Sequence, residues 1–339
     1  MTTTSLAFGP LEYLVHDAAL TDVAVTCDGR VWADYGKGMV QEHPRIPFRS
    51  PEVIREYAVQ LCAQLGRRLD DACPIADASS VEGVRIHAVI APVVPQGAAI
   101  SIRFPRQERF DLRQLHERGL FPASWMSTLR GLVRGRANML ITGGTGAGKT
   151  TLLKALLGEC DSGDRIVSVE EVRELGALGR GDHVSLMSRE ANVEGAGAVG
   201  LTELVKATLR MRPDRIILGE CRGAEIADLL RALNSGHRGG MVTLHADGVG
   251  RVPSRLVSLG LLAGLEPAAL STLARDAFDA VLHLERSKHG RHIAQIGDLH
   301  VAQGALAGRT IARWNGREAP SHTPEWAAFS AQWTENAAA

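Results

Sequence analysis

Residues 143–150 read Gly-Gly-Thr-Gly-Ala-Gly-Lys-Thr, an eight-residue match to the pattern G-x-x-x-x-G-K-[ST], directly after the apolar run Asn138-Met139-Leu140-Ile141-Thr142. The pattern demands a strand, a glycine-rich turn and a helix in that order. Its glycines let backbone N–H groups turn around a triphosphate, the lysine reaches the β and γ oxygens, and the hydroxyl after it faces Mg²⁺. Here those groups are Lys149 and Thr150, within a predicted cradle of Gly143, Gly144, Thr145, Gly146, Ala147, Gly148, Lys149, Thr150 and Thr151. A helix opening at Lys149 aims its positive N-terminal end at the same anion. It continues with apolar residues at helical spacing through Leu157 and stops at Gly158. With average residue usage, four fixed positions arise by accident in a chain of this length on the order of once in a hundred chains. A dinucleotide fingerprint starting at Gly144 would need glycine or alanine at 149, where lysine stands. The predicted ligand is therefore a nucleoside triphosphate with Mg²⁺, not NAD.

At 339 residues the chain is long for one core, so two domains are expected. Lys+Arg and Asp+Glu balance at 38 each, which removes the basic footprint of a protein that tracks nucleic acid by itself. No Lys or Arg precedes Arg30, and no apolar run reaches the roughly 18 residues of a membrane span, so a cytoplasmic chain is expected. Aromatics are only 4% of residues, which predicts aliphatic cores. The five cysteines are scattered and never spaced C-x-x-C, and the twelve histidines show no H-E-x-x-H, so neither a disulfide framework nor a structural metal is expected.

The first hundred residues read as a small α+β domain, residues 1–103. Asp28-Gly29 predicts a two-residue hairpin turn between 22–27 and 30–34. Ser50 and Pro51 open a helix with an apolar stripe of Val53, Ile54, Tyr57, Ala58, Leu61, Cys62 and Leu65, and 84–90 and 99–103 form a second strand pair. Residues 104–112 read as a linker. From 113 to 317 strands alternate with helices, the pattern of a parallel α/β sheet, and 318–339, rich in Ala, Ser and Thr, reads as a disordered tail. Strands are expected at 138–142, 165–169, 214–218, 241–244 and 280–285, and a helix at 263–275.

The first four of those strands end at the phosphate loop, at Glu170 and Glu171, at Glu220, and at His245. Ligands of a parallel sheet sit at the carboxyl edge, so four separate segments are predicted to meet at one site. Glu220 stands where a carboxylate would polarise an attacking water or hold magnesium through water. Glu170 and Glu171 offer outer-shell magnesium ligands. His237 and His245 bracket the strand at 241–244 and are candidates to bond the γ-phosphate. Arg85, Arg103 and Arg106 are candidates for an arginine finger across a subunit boundary.

These residues, taken in order, resemble a family. Gly143–Thr150, Ile166-Val167-Ser168-Val169-Glu170-Glu171, Leu209 through Glu225, Asn234-Ser235-Gly236-His237 and Thr243-Leu244-His245-Ala246 are similar to the Walker A, Asp box, Walker B and His box of type II/type IV secretion ATPases. Gly9-Pro10-Leu11, Gly66 through Ala72 and Arg189 through Gly195 look closest to the actinobacterial TadA/CpaF branch, and the absence of a tetracysteine motif agrees. The resemblance implies a P-loop ATPase with a RecA-like C-terminal domain and a smaller N-terminal α+β domain. It further implies a homohexameric ring at the inner face of the membrane, powering Tad/Flp pilus assembly or secretion through inner-membrane platform proteins, with no direct nucleic-acid partner. Carried over residue by residue, it makes Lys149 and Thr150 the Walker A pair, Glu220 the catalytic glutamate and His237 and His245 the His box. Arg85 and Arg103 match N-terminal arginines that approach phosphate. Three positions depart from the pattern: Glu171 where aspartate is usual, Cys221 where an aliphatic residue is usual, and Asp247 where asparagine is common. Two other readings are a RecA-like nucleic-acid translocase, disfavoured by the charge balance, and a nucleotide-gated scaffold with little hydrolysis.

Overall fold

A computed structural model describes residues 6–80, 82–105, 109–176, 178–179, 181–189, 196–288 and 290–334. Arg106, the stretch 190–195 and the last five residues lie outside the described residues. The chain forms two compact units, Met1–Glu108 with Val172–Gly176, and Arg109–Glu171 with Ala177–Ala339.

The N-terminal unit holds α1 (Glu12–Val15), β1 (Asp22–Val25), β2 (Val31–Asp34), β3 (Met39–Glu42), α2 (Pro51–Gln64), β4 (Ile75–Ser79), β5 (Arg85–Ile90) and β6 (Ala98–Arg103). Its strands form one sheet in the order β3-β2-β1-β6-β5-β4, antiparallel throughout. Buried residues alternate with more exposed ones along β1, β2, β5 and β6, as befits a sheet with one face on a core. Ser50 caps α2 by accepting from the Val53 N–H, with Pro51 at the first turn. Ile54, Tyr57, Ala58, Leu61 and Cys62 face the core, but Val53 is half exposed because it lies one position off the stripe. The first hairpin is wider than expected. Strand pairing stops at Val25 and Val31, and Thr26 and Arg30 close the turn, with Gly29 at φ +84°. Val172–Gly176 joins this unit although it follows a strand of the other, and Arg85 and Glu174 form an ion pair.

The C-terminal unit begins with α3 (Leu112–Glu117), whose Asp111 and Gln114 form a reciprocal capping box. The segment 104–112 therefore ends in a helix start rather than open linker. There follow α4 (Met126–Arg134), β7 (Met139–Gly143), α5 (Lys149–Gly158), β8 (Ile166–Glu170), β9 (His183–Met187), α6 (Leu201–Thr208), β10 (Arg215–Cys221), α7 (Glu225–Asn234) and β11 (Met241–Leu244). The remainder is α8 (Val252–Leu262), α9 (Pro267–Ala277), β12 (Ala280–Ser287), β13 (Gly290–Ala302), β14 (Ala305–Arg313), β15 (Ser321–His322) and α10 (Trp326–Gln332). The sheet order is β15-β14-β13-β12-β7-β11-β10-β8-β9. From β12 to β9 all neighbours are parallel, and β13, β14 and β15 add an antiparallel edge. β7, β8 and β11 are buried at every position, which explains why they read as largely apolar runs, broken only by Thr142, Ser168 and Thr243 and by Glu170 at the end of β8. The fold is thus the expected mixed α/β, comprising a unit with a mainly parallel sheet and a smaller α+β unit.

The expected disordered tail is instead built into the fold up to Thr334. His322 stacks on Trp326, Trp326 packs near Trp125 and Phe329, and Trp333 is buried. Gly131 on α4 makes room for it, since a Cβ there would lie 1.9 Å from the Trp333 carbonyl oxygen.

At the edge where β7, β8 and β10 begin, Asp164 and Arg215, each 2% exposed, form an ion pair at 2.6 Å that Arg136 joins from the surface. Burial alone would raise the Asp164 carboxyl, but its bonds to Arg215 and the nearby charges of Arg215 and Arg136 outweigh that and hold it below the usual range. Asp164→Asn is expected to lower the unfolding free energy by about 3–5 kcal/mol, because it leaves Arg215 charged in the interior. Denaturant unfolding measures this. A group held low contributes stability above its unfolded pKa, so the wild-type advantage should vanish as pH falls through the range where Asp164 protonates.

Candidate functional site

The glycine-rich turn leaves β7 and enters α5, as the pattern required. Three of its glycines use backbone conformations that L residues rarely adopt: Gly143, Gly146 and Gly148 have φ of +148°, +71° and +101°. Gly143 also lies against β12, where a Cβ would meet the Leu284 carbonyl oxygen at 2.5 Å. Lys149 is buried, and its Nζ donates to the carbonyl oxygens of Gly143 at 2.9 Å and Gly144 at 3.0 Å. The ammonium is thus held across the turn by partners that a phosphate oxygen can replace.

Strand order decides which side chains meet there. β11 lies between β7 and β10, so its end, His245, falls between Lys149 after β7 and Glu220 on β10. Lys149 Nζ is 3.4 Å from His245 Nδ1, and His245 Nε2 is 3.2 Å from Glu220 Oε1. That spacing favours the tautomer whose Nε2–H donates to Glu220 while Nδ1 accepts from Lys149. Burial, then the Lys149 charge, push the His245 pKa down, so the ring is neutral near neutral pH.

Arg222 binds the other side of Glu220, with Nε 2.8 Å from Oε1 and Nη2 2.9 Å from Oε2, and its Nη1 reaches Glu171 Oε2 at 3.0 Å. Glu170 instead turns inward and is 2% exposed. Gly219 leaves it the space, because a Cβ there would stand 2.9 Å from Glu170 Cγ. The two neighbouring acids therefore differ: Glu170 packs under the strand ends, and Glu171 lies on the surface beside Arg222. Thr150, Glu170, Glu171 and Glu220 offer only oxygen donors, the set magnesium prefers. Among the described residues no three His, Cys, Asp or Glu are grouped to hold a metal.

His237 does not join the site. Met241 pairs with Met139 and Leu244 with Thr142, so the start of β11 lies at the edge opposite the phosphate loop. His237 precedes that start, and its carbonyl oxygen accepts from Asn138 Nδ2 at 3.5 Å. About 13 Å of strand separates the two histidines' ends of β11, since each residue rises roughly 3.3 Å. Arg85 and Arg103 belong to the N-terminal unit, opposite each other on β5 and β6. Cys221 is a buried packing residue whose thiol burial pushes up, and Asp247 is exposed.

Two residues were not anticipated. His283 on β12 is 1% exposed, and its Nδ1 accepts from Thr142 Oγ1 at 3.0 Å and the Gly248 N–H at 3.3 Å. Burial lowers its pKa. A histidine held low favours folding above its unfolded pKa and loses that contribution as pH falls through the folded one. The unfolding midpoint should therefore drop on acidification below about pH 6.5. His283→Asn, whose amide oxygen replaces the Nδ1 acceptor, should show a shallower drop. The second is Arg291, whose Nε donates to the Gly146 carbonyl oxygen at 2.7 Å. His283 lies in the strand expected at 280–285, but nothing local in the sequence marks it or Arg291 as reaching the phosphate loop.

A family model described as type II/IV secretion system protein matches residues 5–307. A Mycobacterium tuberculosis (H37Rv) protein provisionally named as a conjugal transfer protein is 43% identical over 311 residues, covering 89% of this chain and 87% of its own length. Conjugal transfer protein TrbB of Rhizobium radiobacter is 30% identical over 287 residues, covering 83% and 84%. Among solved structures, the pilus retraction motor PilT with bound ADP covers 98% of this chain and 88% of its own at a TM-score of 0.59 and 15% identity, a likeness of fold.

Proposed function

Because the chain belongs to the type II/IV secretion system protein family, we propose that it is an ATP-hydrolysing motor of the Tad/Flp pilus-assembly kind. In this reading it works as a homohexameric ring at the inner face of the membrane and acts through inner-membrane platform proteins. The observation that carries the reading is the row Lys149, His245, Glu220 across the ends of three successive strands. A positive charge for the phosphates and a carboxylate for the attacking water stand on either side of a neutral imidazole that touches both. Two relatives named for conjugal transfer support a place in transport machinery.

Residues 143–151 would cradle the triphosphate, with Lys149 exchanging its carbonyl partners for β and γ oxygens. Thr150, with Glu220, Glu170 and Glu171 through water, would hold magnesium, which would supply charge neutralisation at those oxygens. Glu220 takes the proton of the attacking water, and Arg222 and His245 orient its carboxylate from two sides. His245, next to Lys149, reports to Glu220 whether the γ-phosphate is present. For Arg85 and Arg103 we propose the phosphate-directed role that the resemblance implies.

Purified protein supplied with Mg-ATP tests the reading, with Lys149→Ala and Glu220→Gln alongside. Turnover that both variants lose is expected. Binding without turnover, even with membrane partners present, would sink the motor and leave a nucleotide-gated scaffold. Strong stimulation by DNA would favour a translocase.

A further inference from the structure

The turn between β12 and β13 carries positive charge that the rest of the chain balances. From 285 to 291 it holds Arg286, Lys288 and Arg291 against the single acid Glu285, in a chain of formal net charge +0. Arg286 stands directly opposite Arg291 in the antiparallel register. Residues so opposed project on one face, where like charges repel and a nearby anion relieves them. β12 also runs beside β7, with Leu284 opposite Gly143, so the pair is delivered to the glycine-rich turn.

The contacts are specific. Besides the bond from Arg291 Nε to the Gly146 carbonyl oxygen, Arg291 Cδ lies 3.4 Å from where a Cβ on Gly148 would stand, and Arg286 Nη1 lies 3.7 Å from the same point on Gly146. A trans peptide sends its C=O and N–H in opposite directions. Fixing the Gly146 carbonyl on the hairpin side therefore turns the Ala147 N–H to the other side, where it donates to the Gly144 carbonyl oxygen at 3.3 Å and closes the turn. The shape of that closed turn sets the direction of the N–H groups that a phosphate would meet.

We propose that Arg291 is a positioning residue for the triphosphate site, fixing the Gly146–Ala147 peptide, and that Arg286 adds a second positive charge beside it. The proposal deepens the nucleotide-binding reading and rests on it.

The full-length chain tests it by titration with ATP and with inorganic tripolyphosphate. Arg291→Ala is expected to weaken both alike, about tenfold for one charge-assisted hydrogen bond, without moving the ligand-free melting midpoint. Arg286→Ala should weaken both by less and flatten the salt dependence. Arg291→Lys keeps the charge but not the planar donor, so it should keep the salt dependence and recover only part of the affinity. Arg309→Ala is the control, since its partners Asp298 and Glu325 lie away from the turn on β13 and at the start of α10. Wild-type affinity in Arg291→Ala, or an equal loss in Arg309→Ala, overturns the proposal. Should Arg291→Ala melt early, Arg291→Lys decides, and full affinity there overturns it. A wild-type chain that binds neither ligand would instead sink the nucleotide reading itself.

Discussion

Glu220→Gln is expected to bind ATP as well as the wild type and to lose turnover by about 10²–10⁴-fold, the usual worth of a positioned general base. The substitution keeps the shape and, with its amide oxygen at the Oε1 position, the bonds from Arg222 Nε and His245, but it gives up the Arg222 Nη2 bond and removes the charge that accepts a proton from water. Binding should survive because the phosphate cradle lies on β7 and α5, two strands away from β10. Single-turnover kinetics beside equilibrium nucleotide binding separates the two effects. A glutamine variant that hydrolyses at the wild-type rate would return Glu220 to a partner of Arg222 and no more.

Lys149→Ala should fail earlier, at binding as well as chemistry. The ammonium is buried and already bonded to two carbonyl oxygens of the turn, so its removal leaves the cradle without the charge that meets the β and γ oxygens. Loss of one such preorganised group costs about 10²–10³-fold in turnover, on top of weaker binding. The protein should still fold, because the Lys149 ammonium bonds chiefly within its own turn, to the carbonyl oxygens of Gly143 and Gly144. A circular dichroism melt near that of the wild type, with nucleotide affinity reduced, is the expected pair of results. Undiminished turnover would remove the turn from the mechanism.

The parallel strands were legible because a strand buried on both faces must be a largely apolar run, and each run here stops abruptly at a polar group. Their lateral order was not, since no local pattern records which strands share hydrogen bonds. That order is what puts His245 between Lys149 and Glu220, whereas His237 is kept away by lying before the start of β11. The two histidines sit eight positions apart in the chain, yet a whole strand runs between them, so neighbourhood in sequence misled. Composition misled at the C-terminus. The Ala, Ser and Thr of 318–339 suggested fraying, while Trp326, Phe329 and Trp333, spaced for one helical face, carried the packing. Arg291 stayed hidden because only the antiparallel return of β13 carries it onto the turn.

Val172–Gly176 has a consequence for how the molecule can be taken apart. The backbone passes from one unit to the other at 108–109, returns after Glu171, and leaves again after Gly176. The N-terminal unit is therefore not a detachable module. A fragment beginning at Arg109 would keep Glu174 and lose the Arg85 that binds it, and a fragment ending at Glu108 would lack the 172–176 strip of its own unit. Grafting the N-terminal unit onto a relative would need matched junctions at three places.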